Sequence, residues 1–323
     1  MVALAAACGS KPAGPTGPTT TAPQIACPAD VTVRGITGSS QAATYPAPTV
    51  SGGAAPVSVT CTPASGSTFP LGATSVSCTA SDAQARQAAC AFNVTLAAAT
   101  LSVTKFDTLG DSLTEGENGR LAFLDSPNAY PTRLQALFDT TYPGQGIKVI
   151  NHGVSGWPIE RTVEELPGDL AVDRPGGALF LSGYNNLYNA CGNGPANTVA
   201  CQAAIGTVQF GIRDCIRRSK DVSVSYIFVS TLTPQGPVLP GAAHDRRISS
   251  DAILQANARI RQVVAAEGVK LVDTYPLFLG HEAEYVDTDG LHLRPAGYQV
   301  LADSFFAAIN ATVPATPLLT ASR

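Results

Sequence analysis

A chain of 323 residues is long enough for two separately cored domains, and 45% hydrophobic with 14% charged residues is a globular composition. A net charge of −4 offers no basic stripe to neutralise phosphates, so nucleic acid is excluded as an expected partner. No apolar run approaches the roughly 18 residues of a membrane span. Eight cysteines, four of them between residues 27 and 90, point to disulfides in an oxidising compartment, hence to a secreted or extracytoplasmic protein. Without a Cys-x-x-Cys pair and with four scattered histidines, neither metal nor cofactor is expected.

Residues 1–22 begin Met1-Val-Ala-Leu-Ala-Ala-Ala-Cys8 and continue through a stretch of Pro, Gly and Thr that cannot bury enough apolar surface to fold. Small residues before a cysteine resemble the end of a bacterial lipoprotein signal, although a basic n-region is missing and Leu4 is displaced by one position. The resemblance implies a lipidated Cys8 that tethers the chain to a membrane through this spacer.

From residue 23 to 98, short β-branched runs at 31–33, 43–45, 57–61, 74–78 and 91–96 alternate with Gly- and Ser-rich turns, the pattern of a β-sandwich. Cys27-Pro-Ala-Asp, Tyr45-Pro-Ala-Pro-Thr-Val-Ser-Gly-Gly, Phe69-Pro-Leu-Gly and Val76-Ser-Cys-Thr-Ala-Ser-Asp resemble the hyalin-repeat (HYR) module, which implies an immunoglobulin-like domain used as spacer or adhesion unit. Its four cysteines allow three pairings, and sequence does not choose among them. Cys27 with Cys90 would tie the ends of the module together, and Cys61 with Cys78 would join two strands that each end in Val-x-Cys.

Residues 101–313 change rhythm. Strand patterns at 102–109, 147–152, 178–182, 223–231 and 270–274 alternate with helical patterns at 131–139, 198–218, 249–267 and 295–310, which argues for βαβ units and a parallel sheet. Residues 314–323 read as a loose tail. Functional groups collect at the carboxyl ends of such strands. Those ends carry Gly110-Asp-Ser-Leu-Thr-Glu-Gly116, His152-Gly-Val-Ser-Gly156 and Gly183-Tyr-Asn-Asn186, and the last loop reads Asp287-Thr-Asp-Gly-Leu-His292.

In order and spacing these blocks resemble the SGNH hydrolases, also called the GDSL esterases and lipases, over residues 102–312. The resemblance implies a three-layer α/β/α flavodoxin-like fold and a serine esterase, with Ser112 as nucleophile, His292 as general base and Asp289 as its orienting acid. It also implies an oxyanion hole from Ser112, Gly156 and Asn185. The chemistry is consistent: serine needs an adjacent base, and an aspartate three residues before the imidazole, on a turn containing Gly290, can fix its tautomer. Asp287 fails the Asp-x-x-His spacing, and no Gly-x-Ser-x-Gly elbow of an ordinary α/β-hydrolase occurs.

Asn186 stands where the family commonly has aspartate. The segment between Cys191 and Cys201 reads as a disulfide-closed rim of the cleft, which leaves Cys215 unpaired unless it takes the place of one of them. His152, His244 and His281 read as structural or surface groups. The expected substrate is a small-molecule or polysaccharide ester with a short acyl or acetyl group, acted on by a monomer. The alternative is a surface carbohydrate-binding or adhesion protein with a weakly active hydrolase domain.

Overall fold

The computed structural model describes residues 21–119, 127–240 and 245–317, so Cys8, the spacer before residue 21 and His244 lie outside the described residues. Two compact units emerge, one of residues up to Ile36 together with Ser40–Ala97, the other of Thr37–Ser39 and everything from Ala98.

The first unit is all β. Strands β1 (Gln24–Ala26), β2 (Val31–Ile36), β3 (Ser40–Ala42), β4 (Thr49–Ser51), β5 (Ser58–Thr62) and β6 (Thr68–Pro70) are short, whereas β7 (Gly72–Ser81) and β8 (Gln87–Leu101) are long. β7 pairs antiparallel with β8 over ten residues, from Gly72 opposite Leu96 to Ser81 opposite Gln87. β5 pairs β7, β2 pairs β8, and β1–β4 and β3–β6 form two small antiparallel pairs. Alternation sets the core: Val76, Cys78 and Ala80 on β7 and Phe92, Val94 and Leu96 on β8 are buried, with Tyr45 edge-on to Phe92 at 4.9 Å. The expected strand at 43–45 is instead the loop that follows β3, where Ser65 Oγ accepts the Tyr45 N–H and Pro63 O accepts the Tyr45 hydroxyl.

Register alone leaves two partners for Cys78, and the disulfides decide between them. Cys78 lies opposite both Cys61 and Cys90, and it bonds Cys61, while Cys90 bonds Cys27.

The second unit is a three-layer α/β/α domain. Its parallel sheet runs β10 (Lys148–Gly153), β9 (Lys105–Gly110), β11 (Gly177–Leu181), β12 (Tyr226–Ser230) and β13 (Lys270–Val272), with β9 between β10 and β11. β11 and β12 are continuous apolar runs, as strands covered on both faces should be. Helices α1 (Ser112–Glu115), α2 (Tyr130–Thr141), α3 (Ile159–Asp173), α4 (Tyr184–Cys191), α5 (Val199–Asp221), α6 (Ser250–Glu267), α7 (Tyr275–Phe278), α8 (Glu282–Tyr285) and α9 (Pro295–Thr312) complete it. α2 packs on α9, and α3, α5 and α6 pack in series, as right-handed crossovers on opposite faces require. Phe106 stacks on Phe138 at 5.3 Å and Tyr130 on Phe305 at 5.2 Å, tying sheet to helix and helix to helix.

Helix α3 and the end of the described chain are among the departures from expectation. Helix α3 has no counterpart in the sequence patterns, because Pro167 and Gly168 lie inside it. Its buried face of Ile159, Thr162, Leu166 and Leu170 nonetheless packs on α5, and that packing outweighs the propensity of two residues. The described part of the expected loose tail, Ala315–Pro317, forms strand β14 against Ala99–Leu101 of β8.

A loop in the first unit carries a charge signature. Asp82 accepts the N–H groups of Ala54, Gln84 and Arg86 and the Arg86 Nε–H. Burial alone would raise its pKa, but these donors outweigh it and hold the carboxyl down at about 2. A depressed carboxyl contributes stability above its unfolded value near 4 and loses it as the pH falls towards 2. Calorimetry of the full chain should therefore show the first unit's transition weakening from about pH 4 downward, and Asp82→Asn should flatten that slope. By loop entropy, Cys27→Ser/Cys90→Ser, spanning 63 residues, should destabilise that unit by roughly 4 kcal/mol and Cys61→Ser/Cys78→Ser, spanning 17, by roughly 3 kcal/mol. Chemical unfolding measures the order of the two.

Candidate active site

In a doubly wound sheet the crevice forms where strand order reverses, outside the carboxyl ends of the strands. Here that point is β9, with β10 on one side and β11 on the other. Ser112 follows β9, Gly156 follows β10 and Asn185 follows β11, while Asp289 and His292 arrive on the loop that precedes α9.

The turn from β9 into α1 is tight. A Cβ on Gly110 would lie 2.0 Å from the Leu181 carbonyl oxygen, so only glycine lets β9 end this close to β11. Asp111 caps α1 by accepting the Leu113 N–H, and burial pushes its carboxyl up to about 6. Ser112 is the first helical residue, so its own N–H has no acceptor within the helix.

The loop from 286 to 294 closes on itself. The Asp287 N–H donates to the His292 carbonyl at 2.7 Å, and Asp289 Oδ1 accepts the N–H groups of Leu291 and His292, each at 3.0 Å. With Oδ1 so held, Asp289 Oδ2 faces His292 Nδ1 at 2.5 Å, and His292 Nε2 lies 2.9 Å from Ser112 Oγ. All three residues are at most 4% exposed. Burial works to raise the Asp289 pKa, but the His292 hydrogen bond and charge and the two N–H donors win, holding it below the usual carboxylate range. The carboxylate is thus ionised through neutral and mildly acidic pH.

Ser112, Gly156, Asn185 and His292 line one cavity of about 240 Å³ together with Glu117, Ser155, Tyr188, Arg246 and Leu291. Gly156 has φ of +81°, which favours glycine, and a Cβ there would meet nothing within 4 Å. Asn185 Nδ2 donates to the Trp157 carbonyl at 3.1 Å, which ties α4 to the loop after β10 and leaves the second amide hydrogen for a ligand. All five residues singled out from the sequence are therefore at one place. Asp287 serves the loop instead, accepting the N–H groups of Gly119 and Thr288.

Asn186 has a specific task. Its Oδ1 accepts the Ile159 N–H at the start of α3 and its Nδ2 donates to Glu160, a pairing that an aspartate would replace with repulsion. Cys191 and Cys201 are bonded and Cys215 is a buried free thiol. Among the described residues the Cys191–Cys201 segment does not line the cavity, which corrects the expectation of a rim. The bond joins the end of α4 to the first turn of α5, and α4 itself supplies Asn185 and Tyr188 to the cavity.

Sequence reasoning assigned no role to Glu115 and Glu117. Glu115 Oε2 accepts the Ser155 N–H and holds the loop that carries Gly156. Glu117 reaches within 3.5 Å of His292 Nε2. Both lie in the block after Gly110, but no spacing rule separates them from solvent-facing acids. Arg246, stacked over Tyr188 at 5.5 Å, likewise joins the cavity only through the fold.

A model of the GDSL-like lipase/acylhydrolase family matches residues 108–300, and a model of the HYR domain matches residues 18–96. A 52-residue stretch is 35% identical to the spore germination lipase LipC of Bacillus licheniformis, covering 16% of this chain and 24%, about a quarter, of that relative. Among solved structures, LAE5, an α/β hydrolase enzyme from the metagenome of Lake Arreo, Spain, aligns with TM-score 0.50 at 19% identity, over 64% of this chain and 95% of that one. A mutant of Axe2, an acetyl-xylooligosaccharide esterase from Geobacillus stearothermophilus, aligns with TM-score 0.50 at 18% identity, over 64% of this chain and 94% of that one. At these identities the likeness is one of fold.

Gly156→Ala should leave the fold intact, since a Cβ finds open space, but forcing an L-residue to φ of +81° costs about 1–2 kcal/mol and displaces the loop. Roughly tenfold slower ester turnover with an unchanged circular dichroism spectrum is the expected result.

Proposed function

Because the chain belongs to the GDSL-like lipase/acylhydrolase family, a family of ester hydrolases, we propose that its second unit hydrolyses carboxylic esters through an acyl-enzyme on Ser112. The observation that carries the reading is the unbroken line from Ser112 Oγ through His292 to the Asp289 carboxylate. Ser112 Oγ attacks the ester carbonyl carbon while its proton passes to His292 Nε2. Asp289 holds the Nδ1–H tautomer and stabilises the imidazolium without taking the proton. The oxyanion is met by the N–H groups of Ser112 and Gly156 and the amide of Asn185, each donor contributing about 3 kcal/mol. His292 then protonates the leaving alkoxide. A water attacks the acyl-Ser112 carbonyl with the same imidazole as base, releasing the acid and restoring the hydroxyl.

Cavity size and lining favour a short acyl group, acetyl in particular, on a polar alcohol such as a sugar hydroxyl. About 240 Å³ bordered by Glu117, Ser155, Asn185, Tyr188 and Arg246 gives a long alkyl chain little apolar surface, while hydroxyl groups find donors and acceptors throughout. The acetyl-xylooligosaccharide esterase among the fold neighbours acts on such a substrate, but the reading here rests on the cavity. Three disulfides and the HYR domain support an extracytoplasmic setting. No described helix is long and apolar enough to cross a membrane.

Purified protein should hydrolyse p-nitrophenyl acetate faster than the octanoate ester, with kcat/KM falling as the chain lengthens. Ser112→Ala should reduce the rate by at least about 10³-fold and abolish labelling by a fluorophosphonate; Asp289→Asn should reduce kcat by about 10³–10⁴-fold. Equal rates for wild type and Ser112→Ala would overturn the reading in favour of a carbohydrate-binding or adhesion protein.

A further inference from the structure

Asp107, in the middle of β9, His152, near the end of β10, and Asp173, the last residue of α3, each offer a ligand atom within 4.8 Å of the others. His152 Nε2 lies 2.9 Å from Asp173 Oδ2 and 3.8 Å from Asp107 Oδ2. On the other side of the ring, His152 Nδ1 lies 3.4 Å from Asp169 Oδ1, one helical turn before Asp173. These residues form no part of the cavity around Ser112.

Asp107 points to what the cluster is built for. Its side chain is fully buried, and neither carboxylate oxygen receives a hydrogen bond. A buried carboxylate without donors is costly unless a cation satisfies it. Three carboxylates meet here, and the Lys105 ammonium, the other charged group facing them from β9, donates to the Asp173 main-chain oxygen. Three carboxyl groups thus face one ammonium and one imidazole, an excess of anionic ligand groups that a divalent cation would satisfy.

We propose that Asp107, His152 and Asp173 bind a divalent cation of the zinc or manganese class, with Asp169 orienting the imidazole. Ligand atoms each about 2.1 Å from an ion are separated by at most about 4.2 Å. The 2.9 Å and 3.8 Å separations around Nε2 lie inside that limit, and all three ligand atoms lie within 4.8 Å of one another. One nitrogen and two carboxylate oxygens suit a cation of intermediate hardness. With an ion bound, the ring proton would move from Nε2, which hydrogen-bonds Asp173 in this structure, to Nδ1 beside Asp169, giving the carboxylate–imidazole arrangement common behind metal-bound histidines. His152 and Asp173 are each 19% exposed, which gives the ion a path from solvent and room for water ligands.

The site would pin the end of α3 to two strands whose carboxyl ends lead to Ser112 and Gly156, so it is structural in role. It also explains why spacing rules exclude a metal here: the ligands are 45 and 21 residues apart in sequence and meet only through β9–β10 pairing and the packing of α3.

Protein dialysed against a chelator and titrated calorimetrically with zinc or manganese chloride should bind one ion per chain and unfold at a higher temperature when loaded. Asp107→Asn/Asp173→Asn should remove saturable binding, and Asp169→Asn should weaken it by about 10–100-fold. Electron spin-echo spectroscopy of bound Mn²⁺ in the wild-type chain should show coupling to an imidazole nitrogen, a readout that needs no variant to fold. Failure of the wild type to bind either ion, binding that the double variant leaves unchanged, or a bound Mn²⁺ without nitrogen coupling would each overturn the proposal. None of these readouts depends on ester hydrolysis.

Discussion

The contact on which the catalytic reading depends joins atoms 180 residues apart, Ser112 Oγ and His292 Nε2 at 2.9 Å. Neither residue achieves this locally. Ser112 is placed by the turn that Gly110 permits between β9 and α1, and His292 by a loop whose own N–H groups are spent on Asp289 and whose exit is the start of α9. The sheet supplies the rest. With β9 between β10 and β11, the loops after three strands converge, and α9, packed on α2 across the same face, brings the last loop over them. A hydrogen bond worth about 1 kcal/mol in itself is here the outcome of a whole buried core rather than its support.

Around that contact the polar groups divide into those that face the cavity and those that hold the facing groups still. Asn185 does both, anchoring to Trp157 with one amide hydrogen while presenting the other. Glu115 fixes the Gly156 loop through Ser155, Asn186 caps α3, and Asp287 binds Gly119 to the loop carrying Asp289. Preorganisation of this kind is what lets donors act on developing charge without reorganising at the moment of reaction. The Cys191–Cys201 bond belongs to the second group, since it steadies α4 from the far end and leaves the cavity to Asn185 and Tyr188.

The proposed cation site follows the same logic lower in the sheet. Asp107 sits five residues before Ser112, and His152 four before Gly156, on adjacent strands. An ion held between them and Asp173 would brace the strands that lead to the loops carrying Ser112 and Gly156, at a point where the fold otherwise leaves a carboxylate buried without a donor.

What the sequence determined by itself was whatever depends on local periodicity or on motif. Alternating β-branched residues announced the first unit, the strand–helix rhythm announced the parallel sheet, Gly110-Asp-Ser with Asp289-x-x-His292 announced Ser112, Asp289 and His292, and the resemblance of the blocks ending at Gly156 and Asn186 added Gly156 and Asn185. The tertiary structure alone decided the rest. Three cysteine pairings were open until the fold bonded Cys27 to Cys90 and Cys61 to Cys78. Helix α3 was hidden by Pro167 and Gly168 because its stability comes from a face packed on α5 rather than from propensity. Glu115, Glu117, Arg246 and the Asp107–His152–Asp173 cluster were invisible for one reason: a side chain's partner is set by which strands are neighbours and which helix covers them, and that information is not local in the chain.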